Sequence, residues 1–182
     1  MVSMETERLV IRNFKTGDWE ALYEMIIQYE ASEYAKYDQQ WPTSPDEIKG
    51  VADWFASGDN FLAVCPKDTG RFIGFVSLNQ EERKDAREFN IGYIFNSDYR
   101  GKGYATEACR AVLDDAFNRL QADNVITGTA AANLASCRLL ERLGFKKTAE
   151  NTGSFRNAPD GKPIMFLGYN YAISRNEWVG KR

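Results

Sequence analysis

"IGYIFNSDYRGKGYATEA", Ile91 to Ala108, decides the fold. It opens as an apolar, aromatic strand ending near Phe95 and closes as a helix beginning near Gly103. Between them Arg100, Gly101, Lys102 and Gly103 form a basic, glycine-rich turn. The first N–H groups of a helix lack intrahelical partners and carry the positive end of its dipole. Glycine lets a backbone close around an anion, and two flanking cations add charge. A strand, this turn and a helix together predict an anion site on an α/β scaffold.

The turn is not either of two common phosphate binders. A P-loop needs G-x-x-x-x-G-K-[ST], which the chain lacks. A dinucleotide fingerprint needs G-x-G-x-x-G, but "GKGYAT" ends in Thr106. Its acidic ribose ligand should close the next strand, and "VITGTAA" closes in alanine.

Working outward, "ERLVIRNF" alternates like a half-buried strand, and a helix from about Asp18 to Gln28 follows. "ASEYAKYDQQWPTSPDE" reads as a loop ending in a helix start: Ser44 as N-cap, Pro45 at the first position and Glu47 at the third. "NFLAVC" and "RFIGFVSLNQ" flank the turn "PKDTG" as a hairpin. "EERKDARE" reads as an exposed connection, and "FNIGYIF" as the next strand.

Beyond the turn, a helix is expected from about Gly103 to Leu120, then the strand "NVITGTAA". A short helix, "NLASCRLLERLGF", closes at Gly144. The strands "FKKTAENTGSF" and "IMFLGYNYAIS" complete the chain. Hairpins first and alternating strands and helices later predict one domain, residues 1–182, with a mixed α/β or α+β layer.

Composition narrows the chemistry. Of 182 residues 43% are hydrophobic and 27% charged, as in ordinary globular proteins. There is no histidine, so Ser-His-Asp and Cys-His machinery is excluded and the commonest transition-metal ligand is missing. Cys65, Cys109 and Cys137 show neither zinc nor disulfide spacing and read as small buried hydrophobes. A net charge of −3 argues against nucleic-acid binding. No apolar run approaches the roughly 18 residues of a membrane span, and "MVSMETERLV" lacks a signal peptide's apolar stretch, so a cytoplasmic protein without a membrane partner is expected.

A third reading of the turn fits. Arg100, Gly103 and Ala105 match [Q/R]-x-x-G-x-[G/A], the signature of the GNAT N-acetyltransferase superfamily. "TERLVIRNFKTGDWEAL", "IGYIFNSDYRGKGYATEA" and "NLASCRLLERLGFKK" stand in the order and spacing of its branch resembling ribosomal-protein N-terminal (alanine/serine) acetyltransferases. The resemblance runs from Thr6 to about Trp178. It implies a mixed, mostly antiparallel seven-stranded sheet flanked by about four helices, with the two central parallel strands splayed apart.

The resemblance also implies roles. Acetyl-CoA would lie between "FNIGYIF" and "NVITGTAA", its pantetheine amides on the main chain of Ile94, Phe95 and Asn96. An N–H there would polarise the thioester carbonyl. The pyrophosphate would sit on Arg100, Gly101, Lys102, Gly103, Tyr104 and Ala105. Asn133 would contact the pantetheine arm; as a favoured N-cap it has an ordinary structural role open to it as well. Ser136 would donate a proton to the leaving thiolate, or bond locally in the first helical turn. Cys137 has no neighbouring histidine to activate it as an acyl carrier.

Relatives often carry a glutamate just before "IGY", where this chain has Asn90. Asn90 cannot take a proton, so Glu88, on the same strand face, becomes the candidate base; its alternative is an exposed charge beside Arg87. Tyr34, Tyr37 and Trp41 lie in the loop that closes over the acceptor in relatives; Tyr34 and Trp41 are the candidate acceptor contacts, unless the ring is only an anchor. Tyr169 and Tyr171, on one face of the late strand, are read as sheet packing ahead of the alternative, proton donors reaching the site.

The expected function is acetyl transfer from acetyl-CoA to a primary amine, a protein N-terminus or a small molecule, by direct attack in a ternary complex without metal. A monomer or homodimer is expected. The alternatives are an acyl-CoA sensor that has lost turnover, which Asn90 favours, and a binder of some other nucleotide phosphate.

Overall fold

The computed structural model of the protein describes residues 2–82 and 86–179, so Arg83–Asp85 of the charged connection lie outside the described residues. The chain divides into two compact units. The first holds residues up to Ala31, Trp41–Asn79 and Ile91–Val112; the second holds Ser32–Gln40, Gln80–Asn90 and the chain from Leu113 onward.

Four strands and two helices build most of the first unit. They are β1 (Ser3–Glu5), β2 (Leu9–Asn13), α1 (Trp19–Glu30), α2 (Pro45–Ala56), β3 (Phe61–Pro66) and β4 (Gly74–Gln80). Antiparallel pairs join β1 to β2, β2 to β3 and β3 to β4. Ser44 caps α2 by accepting from the Glu47 N–H, and Pro45 occupies the first helical position. The core is largely aromatic: the Phe55 and Phe61 rings stack at 3.8 Å, and Phe14 and Phe75 meet Phe55 edge-on. Leu22, Met25 and Ile26 of α1 and Ile48 and Ala52 of α2 close over them.

β5 (Glu88–Phe95) and α3 (Tyr104–Asn118) run through both units. The second unit adds β6 (Asn124–Ala130), α4 (Leu134–Leu143), β7 (Lys146–Gly153), β8 (Phe166–Ser174) and α5 (Arg175–Val179). Its one parallel pair sets Glu88–Asn90 of β5 beside Asn124–Ile126 of β6, joined through α3 as a parallel crossover requires. β6 and β7 both pair antiparallel with β8. Gly144 ends α4 at φ 93°, the left-handed cap expected of it. Phe117 stacks on Trp178 at 5.9 Å, and Leu139, Leu140 and Ile173 are buried.

Among the described residues the strand order is β1-β2-β3-β4-β5-β6-β8-β7, eight strands rather than the seven expected. The extra strand is β1. No Gly, Pro or Asn marks the turn before β2; Thr6 makes it, its hydroxyl accepting from the Leu9 N–H at 2.9 Å while its own N–H donates to the Leu9 carbonyl at 3.0 Å. Among the described residues the five α-helices likewise exceed the expected four by α5. "RFIGFVSLNQ" becomes a strand only from Gly74 onward.

Candidate active site

The turn after β5 is built on a buried asparagine. Asn96, only 3% exposed, N-caps a 3-10 turn at Ser97–Tyr99 by accepting from the Asp98 N–H at 2.9 Å. Its own N–H donates to the Ile73 carbonyl at 2.9 Å, and its carbonyl accepts from Tyr99 at 3.1 Å. Its side-chain amide donates to Glu24 of α1 at 3.4 Å. One turn further along α1, Gln28 accepts from both the N–H and the hydroxyl of Ser97, at 3.0 and 2.9 Å.

From there Arg100 is extended, Gly101 has φ 76° and Gly103 has φ 81°, left-handed values that glycine adopts without a Cβ penalty. α3 begins at Tyr104. The N–H groups of Gly101 to Ala105 donate to no other group among the described residues. Arg100 and Lys102 are exposed, with the Lys102 ammonium 5.1 Å from the Tyr99 ring centre. Open N–H groups at a helix start, two left-handed glycines and two exposed cations fit a diphosphate.

The other candidates fall elsewhere. Ile94, Phe95 and Asn96 precede the turn in the first unit, as does Trp41. Trp41 packs edge-on against Phe55 and Phe75, at 6.4 and 6.2 Å, and its N–H donates to Glu30, so its ring anchors the core. Glu88, Asn133, Ser136 and Tyr34 belong to the second unit. Asn133 caps α4, its side-chain oxygen accepting from the Ser136 N–H at 3.1 Å. Tyr34 is half-buried at the start of the 3-10 turn Ala35–Tyr37. Glu88 is not an exposed charge: it is 5% exposed, while Asn90, on the same strand face, is half-buried.

All three cysteines are buried free thiols. Burial pushes the Cys109 thiol well above its usual range. Tyr171 is buried too, and burial, then its hydrogen bond with Cys137, raises its phenol. Tyr169 and Tyr171 meet edge-on at 6.5 Å on β8, as sheet packing.

Residues 8–146 match the family of acetyltransferase (GNAT) domains. The chain belongs to the GNAT acetyltransferase family. It is 30% identical to the "uncharacterized N-acetyltransferase YnaD" of Bacillus subtilis over 95% of this chain and 97% of that one. It is 26% identical to the "uncharacterized N-acetyltransferase p20" of Bacillus licheniformis over 99% and 100%. The solved ribosomal-protein-S5-alanine acetyltransferase of Vibrio fischeri shares its fold, with TM-score 0.79 at 19% identity over 98% and 99% of the two chains. This GNAT chain is an N-acetyltransferase of a family that uses acetyl-CoA. Among the described residues no helix is long and apolar enough to cross a membrane.

Sequence reasoning passed over the groups that hold the turn: Glu24, Gln28, Thr6, Arg8 and Glu107. Three of them stood inside quoted motifs, "TERL" and "ATEA", without a role.

Proposed function

We propose that this acetyltransferase holds acetyl-CoA by its pyrophosphate on the N–H groups of Gly101 to Ala105 and transfers the acetyl group directly to a primary amine. The observation that carries the reading is the pair of left-handed glycines delivering open N–H groups at the start of the 15-residue helix α3. Acetyl-CoA supplies an acyl group activated as a thioester.

The chain's own residues divide the remaining work. The Asn96 N–H donates to the Ile73 carbonyl, so it is not the thioester donor. Ile94 directs its carbonyl toward β4, for a Cβ added at Gly74 would lie 2.7 Å from it. Main-chain groups alternate sides along a strand, which leaves the Phe95 N–H directed away from β4 as the donor to the developing oxyanion. Asn133, whose oxygen caps α4, has its amide NH2 group for the pantetheine arm. Ser136 gives its hydroxyl proton to the leaving sulfur as the C–N bond forms and the C–S bond breaks, and regains a proton from solvent, to which Glu88 returns the one it takes from the amine. Glu88 takes the proton released by the amine, directly or through a water. Tyr34 belongs to the acceptor side.

The acceptor is a primary amine, and likeness to the ribosomal-protein branch makes a polypeptide N-terminus the first class to test. Asn90 favours the competing reading, a sensor without turnover; a buried carboxylate on the same strand face, Glu88, is what a sensor would not require. The experiment is calorimetry with CoA followed by release of free thiol from acetyl-CoA with peptides, polyamines and amino acids. Micromolar CoA binding with turnover on one amine class supports the reading. Binding without turnover on any amine establishes the sensor, and absence of binding removes the site.

A further inference from the structure

An acidic residue in the first turn of a helix usually helps it, because the carboxylate faces the positive end of the dipole. In α3 that residue is Glu107, and here it poses a problem. The N–H groups that attract Glu107 are those proposed to receive the pyrophosphate, and a free carboxylate beside them would compete with the anion and repel it.

The chain removes that carboxylate from competition. One Glu107 oxygen accepts from the Thr6 hydroxyl at 2.6 Å and from the Arg8 N–H at 2.9 Å. The other accepts from the Arg8 guanidinium, from Nε at 2.7 Å and Nη2 at 2.6 Å. Burial alone would raise the Glu107 carboxyl, yet the bonds from Thr6 and Arg8 outweigh it and hold the group below the usual carboxylate range. Arg8 also donates from Nη1 to the Lys102 carbonyl at 2.9 Å and lies 4.8 Å from the Tyr104 ring centre. Its Nη2 would be 3.3 Å from a Cβ added at Gly103. One guanidinium thus touches the turn, the helix start and the acid between them.

We infer that Arg8 is a positioning residue for the CoA site: it neutralises Glu107 and ties the Lys102 carbonyl, so that the N–H groups of Gly101 to Ala105 face the pyrophosphate without a competing charge. This rests on the proposed CoA reading. It also gives a physical reason for "TERL" and "ATEA", about a hundred residues apart in sequence, to occur together.

The test is CoA calorimetry on the unaltered protein, Arg8→Met, Glu107→Gln and the double variant, with acetyl-CoA kinetics on each. The Arg8 side chain is 45% exposed but that of Glu107 only 17%, so thermal melts establish that each variant is folded before its affinity is compared. Arg8→Met should weaken CoA binding tenfold or more and raise KM for acetyl-CoA, with kcat at saturation within about threefold. Adding Glu107→Gln should restore most of the lost affinity. Glu107→Gln alone should bind CoA at least as tightly as the unaltered protein. An Arg8→Met affinity equal to the unaltered one, a double variant no better than Arg8→Met, or a tenfold loss in Glu107→Gln overturns the inference. Failure of the unaltered protein to bind CoA is a different result, which removes the CoA site itself.

Discussion

The side-chain oxygen of Gln28 accepts two hydrogen bonds from Ser97, from its N–H at 3.0 Å and its hydroxyl at 2.9 Å. With Glu24 reaching Asn96 one turn earlier, α1 braces the turn that leads into the glycines. Each such bond contributes about 1 kcal/mol net, and the turn passes on part of that to the ligand it shapes. Gln28→Ala should therefore raise KM for acetyl-CoA roughly three- to tenfold and leave kcat near its original value. Steady-state kinetics checks it; a fall in kcat at unchanged KM would place the effect of Gln28 in the chemical step.

The two left-handed glycines should respond differently to substitution. Nothing lies within 4 Å of a Cβ added at Gly101, so Gly101→Ala pays only the backbone strain, about 1 kcal/mol of stability, and folds. Gly103→Glu adds a carboxylate where the pyrophosphate is proposed to sit, and should abolish CoA binding in a protein that still melts cooperatively. Calorimetry and thermal melts on both variants decide it, and CoA affinity retained in folded Gly103→Glu would remove the site.

Asn133 offers a clean separation of two roles. Aspartate is as good an N-cap as asparagine, so Asn133→Asp keeps the bond to Ser136 and the stability of α4 but loses the amide donor. Asn133→Ala should lose the cap as well, about 1 kcal/mol. If the amide contacts the pantetheine arm, KM for acetyl-CoA rises in both variants while only Asn133→Ala melts earlier. Unchanged KM in Asn133→Asp would make this residue a helix cap and no more.

The sequence carried local signals faithfully. Ser44 and Pro45 opened α2, Gly144 closed α4, and the strand, basic turn and helix of Ile91 to Ala108 lay where the quoted stretch put them. Each of these depends on residues within one turn of each other. What could not be read depends on distance. β1 forms because Thr6 bonds to Leu9, a turn made with a hydroxyl instead of Gly or Pro. Arg8 finds Glu107 across 99 positions and Gln28 finds Ser97 across 69. The burial of Glu88 is of the same kind, since its neighbours in β6 begin at Asn124.

Glu177 gives a pH signature. Its carboxylate accepts from Lys146 and from the N–H and hydroxyl of Ser174, and these bonds lower it from 4.5 to about 2. A depressed carboxyl stabilises the fold fully above its unfolded value and loses that contribution as pH falls toward the folded one. The difference in Tm between the unaltered protein and Glu177→Gln should be constant at neutral pH, shrink below about pH 4.5 and vanish near pH 2. The partly exposed position and salt screening keep the difference small, and it should fall further in high salt. A Tm gap independent of pH would assign the stabilising role of Glu177 to its packing.

Glu88 carries the sharpest catalytic prediction. It is buried at the start of β5, two residues before Asn90, and it is a carboxylate where Asn90 is an amide. Positioned general bases contribute roughly a hundredfold to ten-thousandfold. Glu88→Gln keeps the size and a polar head, so it should fold, bind CoA with unchanged affinity and lose about a hundredfold or more in kcat. Asn90→Glu, in turn, should restore part of the rate in the Glu88→Gln background, because a carboxylate on that strand face is then available again. Undiminished kcat in Glu88→Gln would hand proton removal to a water chain, and the burial of Glu88 would then be a matter of folding alone.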